Sequence, residues 1–239
     1  MSVDERAVSG AKNNADLYEA MFRSHGLAYE RWPFAFVGRD RPPPYYSNLT
    51  VLSHDSHDDV MAQLADLASR FEGAVGVKDS FCRLRLEGNG FRTLFEASWI
   101  WRAPENHHFP GTWRVVDSPD DLISWEESWK KNGSPTQHRM FPGPMLDLPD
   151  MFFLGSKNGD TFEAGCIANT SEACIGISNV FSTSPSAEAF AEAAAAVSAI
   201  DPRLPVVGYE AGRELDYARR AGFETVGDLR ILVSKAAVF

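Results

Sequence analysis

The stretch that most restricts what this chain can become is residues 173–232, ACIGISNVFSTSPSAEAFAEAAAAVSAIDPRLPVVGYEAGRELDYARRAGFETVGDLRIL. It reads as strand, helix, strand, helix, strand. Residues 174–181 are a short apolar, β-branched run of the kind a buried strand needs. A Ser/Thr/Pro loop, residues 182–186, opens an alanine-rich helix predicted over 187–200, with Phe190, Ala194, Val197 and Ile200 striping one face. Pro202 and Pro205 stop it, and residues 206–209 form a second buried strand. A helix from Gly212 carries Leu215 and Ala218 on one side, with Asp216 and Arg220 paired at i,i+4 on the other. Gly222 ends that helix in a left-handed cap, and Phe223 starts a last strand running to Val233. Strands joined by a helix within one sheet imply a parallel pair with a right-handed crossover.

The same pattern occurs earlier. Ser47-Asn48-Leu49 matches Ser178-Asn179-Val180, and a helix over 58–71 striped by Val60, Leu64, Leu67 and Phe71 matches the helix at 187–200. Residues 75–77 match Val206-Val207, a short helix around Phe81, Leu84 and Leu86 matches the one at Leu215, and Gly90-Phe91 matches Gly222-Phe223. Residues 95–101 supply the final strand, and the offset drifts only from 130 to 132. Fixed spacing over such a length points to internal duplication. The first copy lacks a long hairpin like that at residues 151–168, whose Asn158-Gly159 is a strong hairpin signal, and reads as truncated.

This order of elements, with Gly222-Phe223 closing the second helix, resembles the carboxyl-terminal half of the GNAT N-acetyltransferase superfamily over residues 151–233. The resemblance implies a mixed-sheet α/β protein of two GNAT-like halves, residues 1–115 and 116–239. It also implies transfer of an acyl group from acetyl-CoA to the amine of a small-molecule acceptor. The family's pyrophosphate loop has the form [Q/R]-x-x-G-x-[G/A]; Ser182, Thr183, Ser184, Pro185 and Ser186 stand in its place, without glycine. The positions of the family's usual Asn and general-acid Tyr hold Ala211 and Ala218. The implied cofactor contacts are Val180, Phe181, Ser182, Ser184, Ser186 and Ala187, and the implied catalytic residues are Glu210 and Tyr209.

These residues also have readings of their own. Tyr209-Glu210 ends a parallel strand, where open α/β sheets bind ligands, and a carboxylate there serves either as a base on an ammonium or as a cap of the next helix. The Ser-rich loop serves either as a phosphate seat at a helix N-terminus or as ordinary capping. Tyr217 reads as packing. The polar Ser-Asn pairs inside apolar strands read as structural, meeting a bulge or splay. In SHDSHDD, residues 53–59, capping of a helix outweighs metal ligation, and no metal is expected. An alternative to the enzyme is a relative that has lost the cofactor site and binds small molecules or proteins.

Composition narrows the class. A net charge of −10 argues against a nucleic-acid surface, and no apolar run is long enough to span a membrane. Three cysteines without metal or disulfide spacing, and an N-terminus without a signal-peptide core, point to a reducing, cytoplasmic setting for a monomer or homodimer. The first dozen polar residues read as loose, followed by a helix over 15–24. Residues 32–37 suggest a strand, and the Pro-rich turn at 38–46 no regular structure. A helix over 119–131, capped by Ser118, carries Trp125 and Trp129 at i,i+4 on one face. The loop at 132–149, with Met140, Phe141, Met145 and Leu146, occupies the place that lines the acceptor site in the superfamily.

Overall fold

The computed structural model describes residues 1–234. Its eleven strands form one mixed sheet in the order β1-β2-β3-β4-β11-β5-β10-β9-β8-β7-β6. The first half comprises α1 (Val3–Ser24), β1 (Tyr29–Arg31), β2 (Ala35–Gly38), β3 (Leu49–Val51), α2 (His57–Arg70), β4 (Gly76–Asp79) and β5 (Phe91–Arg102). The edge strand β6 (Trp113–Val115) follows, then α3 (Pro119–Lys131), β7 (Met151–Asn158), β8 (Thr161–Ser171) and β9 (Cys174–Ser182). The chain closes with α4 (Ala187–Ser198), β10 (Val206–Glu210), α5 (Gly212–Arg220) and β11 (Glu224–Ser234).

Strand alternation assigns the two faces. Phe36, Trp99, Trp101 and Leu229 meet α1, whereas Val37, Leu49 and Val77 meet α2, and Ile100, Ile175 and Ile177 meet α4. α3 shares a core with Leu17 and Met21 of α1, so α1 and α3 cover one face and α2, α4 and α5 the other. Trp125 anchors the α3 core, its ring edge-on to Phe141, Phe153 and Phe181 and its Nε1 donating to the Leu154 carbonyl at 2.8 Å.

The last strand of each half is exchanged. β4 and β3 run parallel, yet β4's other edge is taken by β11; β10 and β9 run parallel, and β10's other edge is taken by β5. β5 and β11 then pair with each other antiparallel at the centre. A pseudo-twofold passes through the Ala97–Leu229 pair: Phe95 opposite Ile231 answers Trp99 opposite Gly227, and the bulge at Val226 answers the bulge at Leu94. Carried outward, it places Lys78, opposite Ile231, where Tyr209 stands opposite Trp99. Asp79 therefore corresponds to Glu210. Gly90 and Gly222 occupy matching turns with φ of 78° and 87°, a conformation that favours glycine.

Four expectations are corrected. α1 begins at Val3, because Ser2 and Glu5 form a capping box and Ala7, Ala11 and Ala15 are buried against the sheet. An alanine stripe lets the helix lie close to Trp99 and Trp101 but lacks the bulk that marks an apolar face in sequence. No helix forms over residues 80–86, where Asp79 accepts the backbone N–H groups of Arg83 and Leu84 and holds the chain open. The first half has its own meander, β1-β2-β3, short in strand length rather than missing. Finally, the sheet register sets Thr50, not Ser47, in the position of Ser178, so the Ser-Asn pairs are not spatial counterparts. Asn48 instead ties β3 to β4, its Oδ1 accepting from Gly76 N–H at 2.9 Å.

Because each parallel pair is closed by the other half's strand, neither half should fold alone. Expressed separately, residues 1–115 and 116–239 should each lack a cooperative thermal transition, and co-expression should restore one; a cooperative melt from either fragment alone would show that the central exchange is dispensable.

Candidate functional site

β9 and β10 pair only at Ile175–Val206 and Gly176–Val207, and then diverge. In the same stretch β9 carries a bulge: Phe181 is opposite Gly165 and Ser178 opposite Ile167, leaving Asn179 and Val180 against Cys166 alone. Asn179 has φ of 52° there, a conformation Asn tolerates better than most residues. The splay opens a cavity on each face of the sheet. Under α1 lies one of about 240 Å³, walled by Asn13, Tyr18, Tyr46, Trp99, Ser178 and Tyr209. Between the α4 N-terminus and α5 lies one of about 90 Å³, walled by Phe181, Ser182, Pro185, Ser186 and Tyr217. Val180 and Glu210 line both.

Glu210 is the group the geometry singles out. It makes no hydrogen bond or ion pair among the described residues, and its pKa is pushed up to about 8 by burial, with Glu214 adding to the shift. It does not cap α5, whose N-cap is Ala211 with no side-chain bond. Its counterpart Asp79 is fully engaged. Besides the two N–H groups of the following loop, Asp79 accepts from Arg230 Nε at 3.1 Å, and Arg230 also donates to the Leu84 carbonyl. The position across from Glu210 is Ser98, which offers no such partner. Thus the first half's carboxylate is locked into structure, and the second half's is exposed to two cavities.

The other expected site residues divide. Tyr209 walls the larger cavity, its ring edge-on to Trp99 at 5.5 Å, and burial holds its phenol well above its ordinary pKa. Ser186 is the N-cap of α4, accepting from Ala189 N–H at 3.2 Å, and Ser182 Oγ accepts from Ser184 N–H at 3.1 Å. Phe181 points its ring into the α3 core against Trp125 and lines the smaller cavity from its edge. Ser184 and Ala187 flank that cavity without lining it. Tyr217 Oη donates to the Pro185 carbonyl at 3.3 Å and braces the Ser/Pro loop. His54 packs against Phe81 with ring centroids 3.9 Å apart.

Of the loop at 132–149, Asn132 alone reaches a cavity, the smaller one, and none of it lines the cavity under α1. Met140, Phe141 and Met145 are buried in the α3 core, and fully buried Glu126 accepts from the N–H groups of Met140 and Phe141. The Pro-rich turn before β3 takes that role, bringing Tyr45 and Tyr46 to the cavity. Lys78 is a further residue without a sequence signal. It is fully buried, donates to Asn14 Oδ1 at 2.5 Å, and sits 4.2 Å from the Tyr209 ring centroid and 4.7 Å from that of Tyr18. Burial pushes its pKa down to about 7.

No sequence-family model matches this chain, and no curated protein sequence is significantly similar to it. Solved structures are. A GCN5-related N-acetyltransferase from Kribbella flavida superposes with a TM-score of 0.61 at 10% identity, covering 94% of this chain and 95% of that one. Another from Sphaerobacter thermophilus gives 0.55 at 12%, covering 96% and 93%. The Saccharomyces cerevisiae N-myristoyltransferase with bound myristoyl-CoA gives 0.55 at 10%, covering 84% of this chain and 63% of the yeast chain. The fold is the GNAT fold. At these identities the likeness concerns architecture, and in the GNAT frame the β9–β10 splay is the gap that interrupts an otherwise continuous sheet.

The contrast between Glu210 and Asp79 has opposite consequences for stability. Removing Arg230 leaves buried Asp79 with two backbone N–H groups but no counter-charge, so Arg230→Met should cost about 3–5 kcal/mol by denaturant melt. Glu210 has its folded pKa raised above the unfolded value, so its ionisation opposes folding increasingly as pH rises from about 4.5 to about 8. Glu210→Gln should therefore match the parent in melting temperature near pH 4 and exceed it above pH 8; a lower melting temperature for the variant at high pH would show that the carboxylate is structurally satisfied.

Proposed function

We propose that this protein is an N-acyltransferase, taking an acyl group from acetyl-CoA and passing it to the amine of a small molecule held under α1. The observation that carries the reading is the splay itself, in which one unpaired carboxylate, Glu210, faces two cavities on opposite sides of the sheet. Two substrates entering from opposite faces meet there, and proximity supplies much of the rate such a transfer needs. The solved GNAT acetyltransferases and the myristoyl-CoA-bound transferase of the same fold support the choice of an acyl-CoA as donor.

In this reading Glu210 takes a proton from the arriving ammonium, directly or through water, and frees the nitrogen lone pair. The nitrogen attacks the thioester carbon, and the resulting oxyanion is held by backbone N–H at the Asn179–Val180 bulge. Collapse forms the amide and breaks the carbon–sulfur bond, the thiolate then taking a proton. Tyr209 remains a phenol throughout and shapes the amine side. Ser182, Ser184, Ser186 and the backbone through Ala187 offer the α4 N-terminus to the pyrophosphate. We further propose that residues 1–115 and 116–239 descend from one duplicated unit, which the matched bulges and exchanged strands support, and that only the second half kept a working carboxylate.

A binding module without turnover is the second reading. Pro185 lacks a donor N–H, and among the described residues no Lys or Arg lines the smaller cavity, which instead holds Glu210 and Glu214.

Titration decides between them. Acetyl-CoA should bind with Kd on the order of tens of micromolar and, at about 100 Kd, stabilise the fold by roughly 2.7 kcal/mol. That is a melting shift of about 5–10 °C for a chain of this size, and Ser186→Glu should abolish it by setting a carboxylate against the phosphates. Turnover with an accepted amine should rise with pH and level off above about 8 as Glu210 ionises. No shift with millimolar acetyl-CoA or CoA would favour the binding module.

A further inference from the structure

The cavity under α1 is built from groups whose hydrogen-bonding capacity is unusually one-sided. Asn13 and Asn169 are 2% and 3% exposed. Asn13 Nδ2 donates to the Asn169 backbone carbonyl at 2.9 Å and to Ser171 Oγ at 2.8 Å, and Asn169 Nδ2 donates to the Asn13 backbone carbonyl at 3.0 Å. Both amides are oriented by the backbone oxygens they reach, so each turns its carbonyl end the other way. Neither Oδ1 receives a protein donor among the described residues, and the two converge over Gly176, where a Cβ would fall on both. Glycine at 176 makes room for this pair of acceptors. Neither oxygen is sealed from the cavity, so each can accept from a donor that enters it.

The rest of the wall points the same way. Glu210 adds a carboxylate, and Trp99, Tyr18, Tyr46 and Tyr209 add aromatic rings. Among the described residues no Lys or Arg lines the cavity. Lys78 stands one layer behind, covered by Asn14 and the rings of Tyr18 and Tyr209. A ligand carboxylate would therefore meet the Glu210 carboxylate and two amide oxygens with no cation to balance it, the phenols and backbone N–H groups of the wall being neutral donors only. At about 240 Å³ the space is below the ~300 Å³ at which drug-sized pockets begin.

We propose that this cavity selects a small amine carrying a second hydrogen-bond donor, a diamine or an amino alcohol, whose far end is read by Asn13 and Asn169, and that it rejects amines bearing a carboxylate. The proposal rests on the reading of Glu210 as the base that receives the reacting amine. Gly176 pairs with Val207, and Glu210 lies three residues further along β10, about 10 Å away at ~3.3 Å per residue. Allowing about 3 Å for a hydrogen bond at each end leaves roughly 4 Å between the two polar groups when both bonds lie along that line and roughly 7 Å when one of them stands across it, the span of a chain of two to four carbons.

Calorimetric titration of the full chain, without acyl-CoA, tests this with four probes: 1,4-diaminobutane, 4-aminobutan-1-ol, butylamine and 4-aminobutanoate. The first two should bind about 10- to 100-fold more tightly than butylamine, which leaves both carbonyls unmet, and 4-aminobutanoate should not bind. Asn169→Ala should bring the first two down to the butylamine level; if that variant does not melt cooperatively, the ranking on the parent chain decides. Equal affinity for butylamine and 1,4-diaminobutane, comparable binding of 4-aminobutanoate, or no binding by any probe to a cooperatively melting protein each overturns the proposal. Acetyl-CoA binding is read separately by melting shift. Donor-dependent amine binding without it would sink the transferase reading and keep the amine site, whereas the reverse result would sink the amine site alone.

Discussion

The antiparallel pairing of β5 with β11 is the interaction on which the rest depends. Each strand closes the parallel pair of the half it does not belong to, so the central seam joins two short sheets into one of eleven strands. Without it, β5 and β11 would present unpaired edges at the middle of the molecule, where backbone groups have no water to bond. The seam also carries a shared hydrophobic surface, with Trp99, Trp101, Leu229 and Ile231 under α1. Closure by exchange makes the halves interdependent, and it fixes the β9–β10 splay at a set distance from the pseudo-twofold.

Near-symmetry in the backbone makes the chemical asymmetry informative. Asp79 and Glu210 hold matching places, yet one is neutralised by Arg230 and two N–H groups while the other has only cavity around it. Burying a carboxylate without a partner is unfavourable and raises its pKa. A group kept in that condition beside two cavities is the arrangement an acid–base site requires. Lys78 and Tyr209 form a second matched pair, brought face to face beneath α1, with the lysine held by a neutral amide and two rings rather than by a carboxylate. α1 links the two features. Its Asn13 and Asn14 reach into both halves, and its alanine stripe lets them come close enough to do so.

Much of this was legible in the residue order. The βαβ pattern of the second half, the Asn158-Gly159 hairpin, the Ser118-capped helix with its two tryptophans and the left-handed Gly90 and Gly222 all follow from local rules of period, capping and turn chemistry. Such rules act over a few residues, so spacing alone reveals them, and Glu210 at a strand's carboxyl end was visible on the same grounds. What depends on contacts far apart in the chain was not. The first turns of α1, though capped locally by Ser2 and Glu5, have their alanines buried by distant strands, and residues 80–86 stay open because Asp79, held by Arg230 from the far end of the chain, takes their N–H groups. Whether Ser47-Asn48 corresponds to Ser178-Asn179 is a matter of strand register, which pairing partners set and spacing does not. The exchange of β5 and β11, the burial of Lys78, the inward turn of Tyr46 and the paired carbonyls of Asn13 and Asn169 each join segments more than thirty residues apart or on opposite halves, so only the tertiary structure decides them.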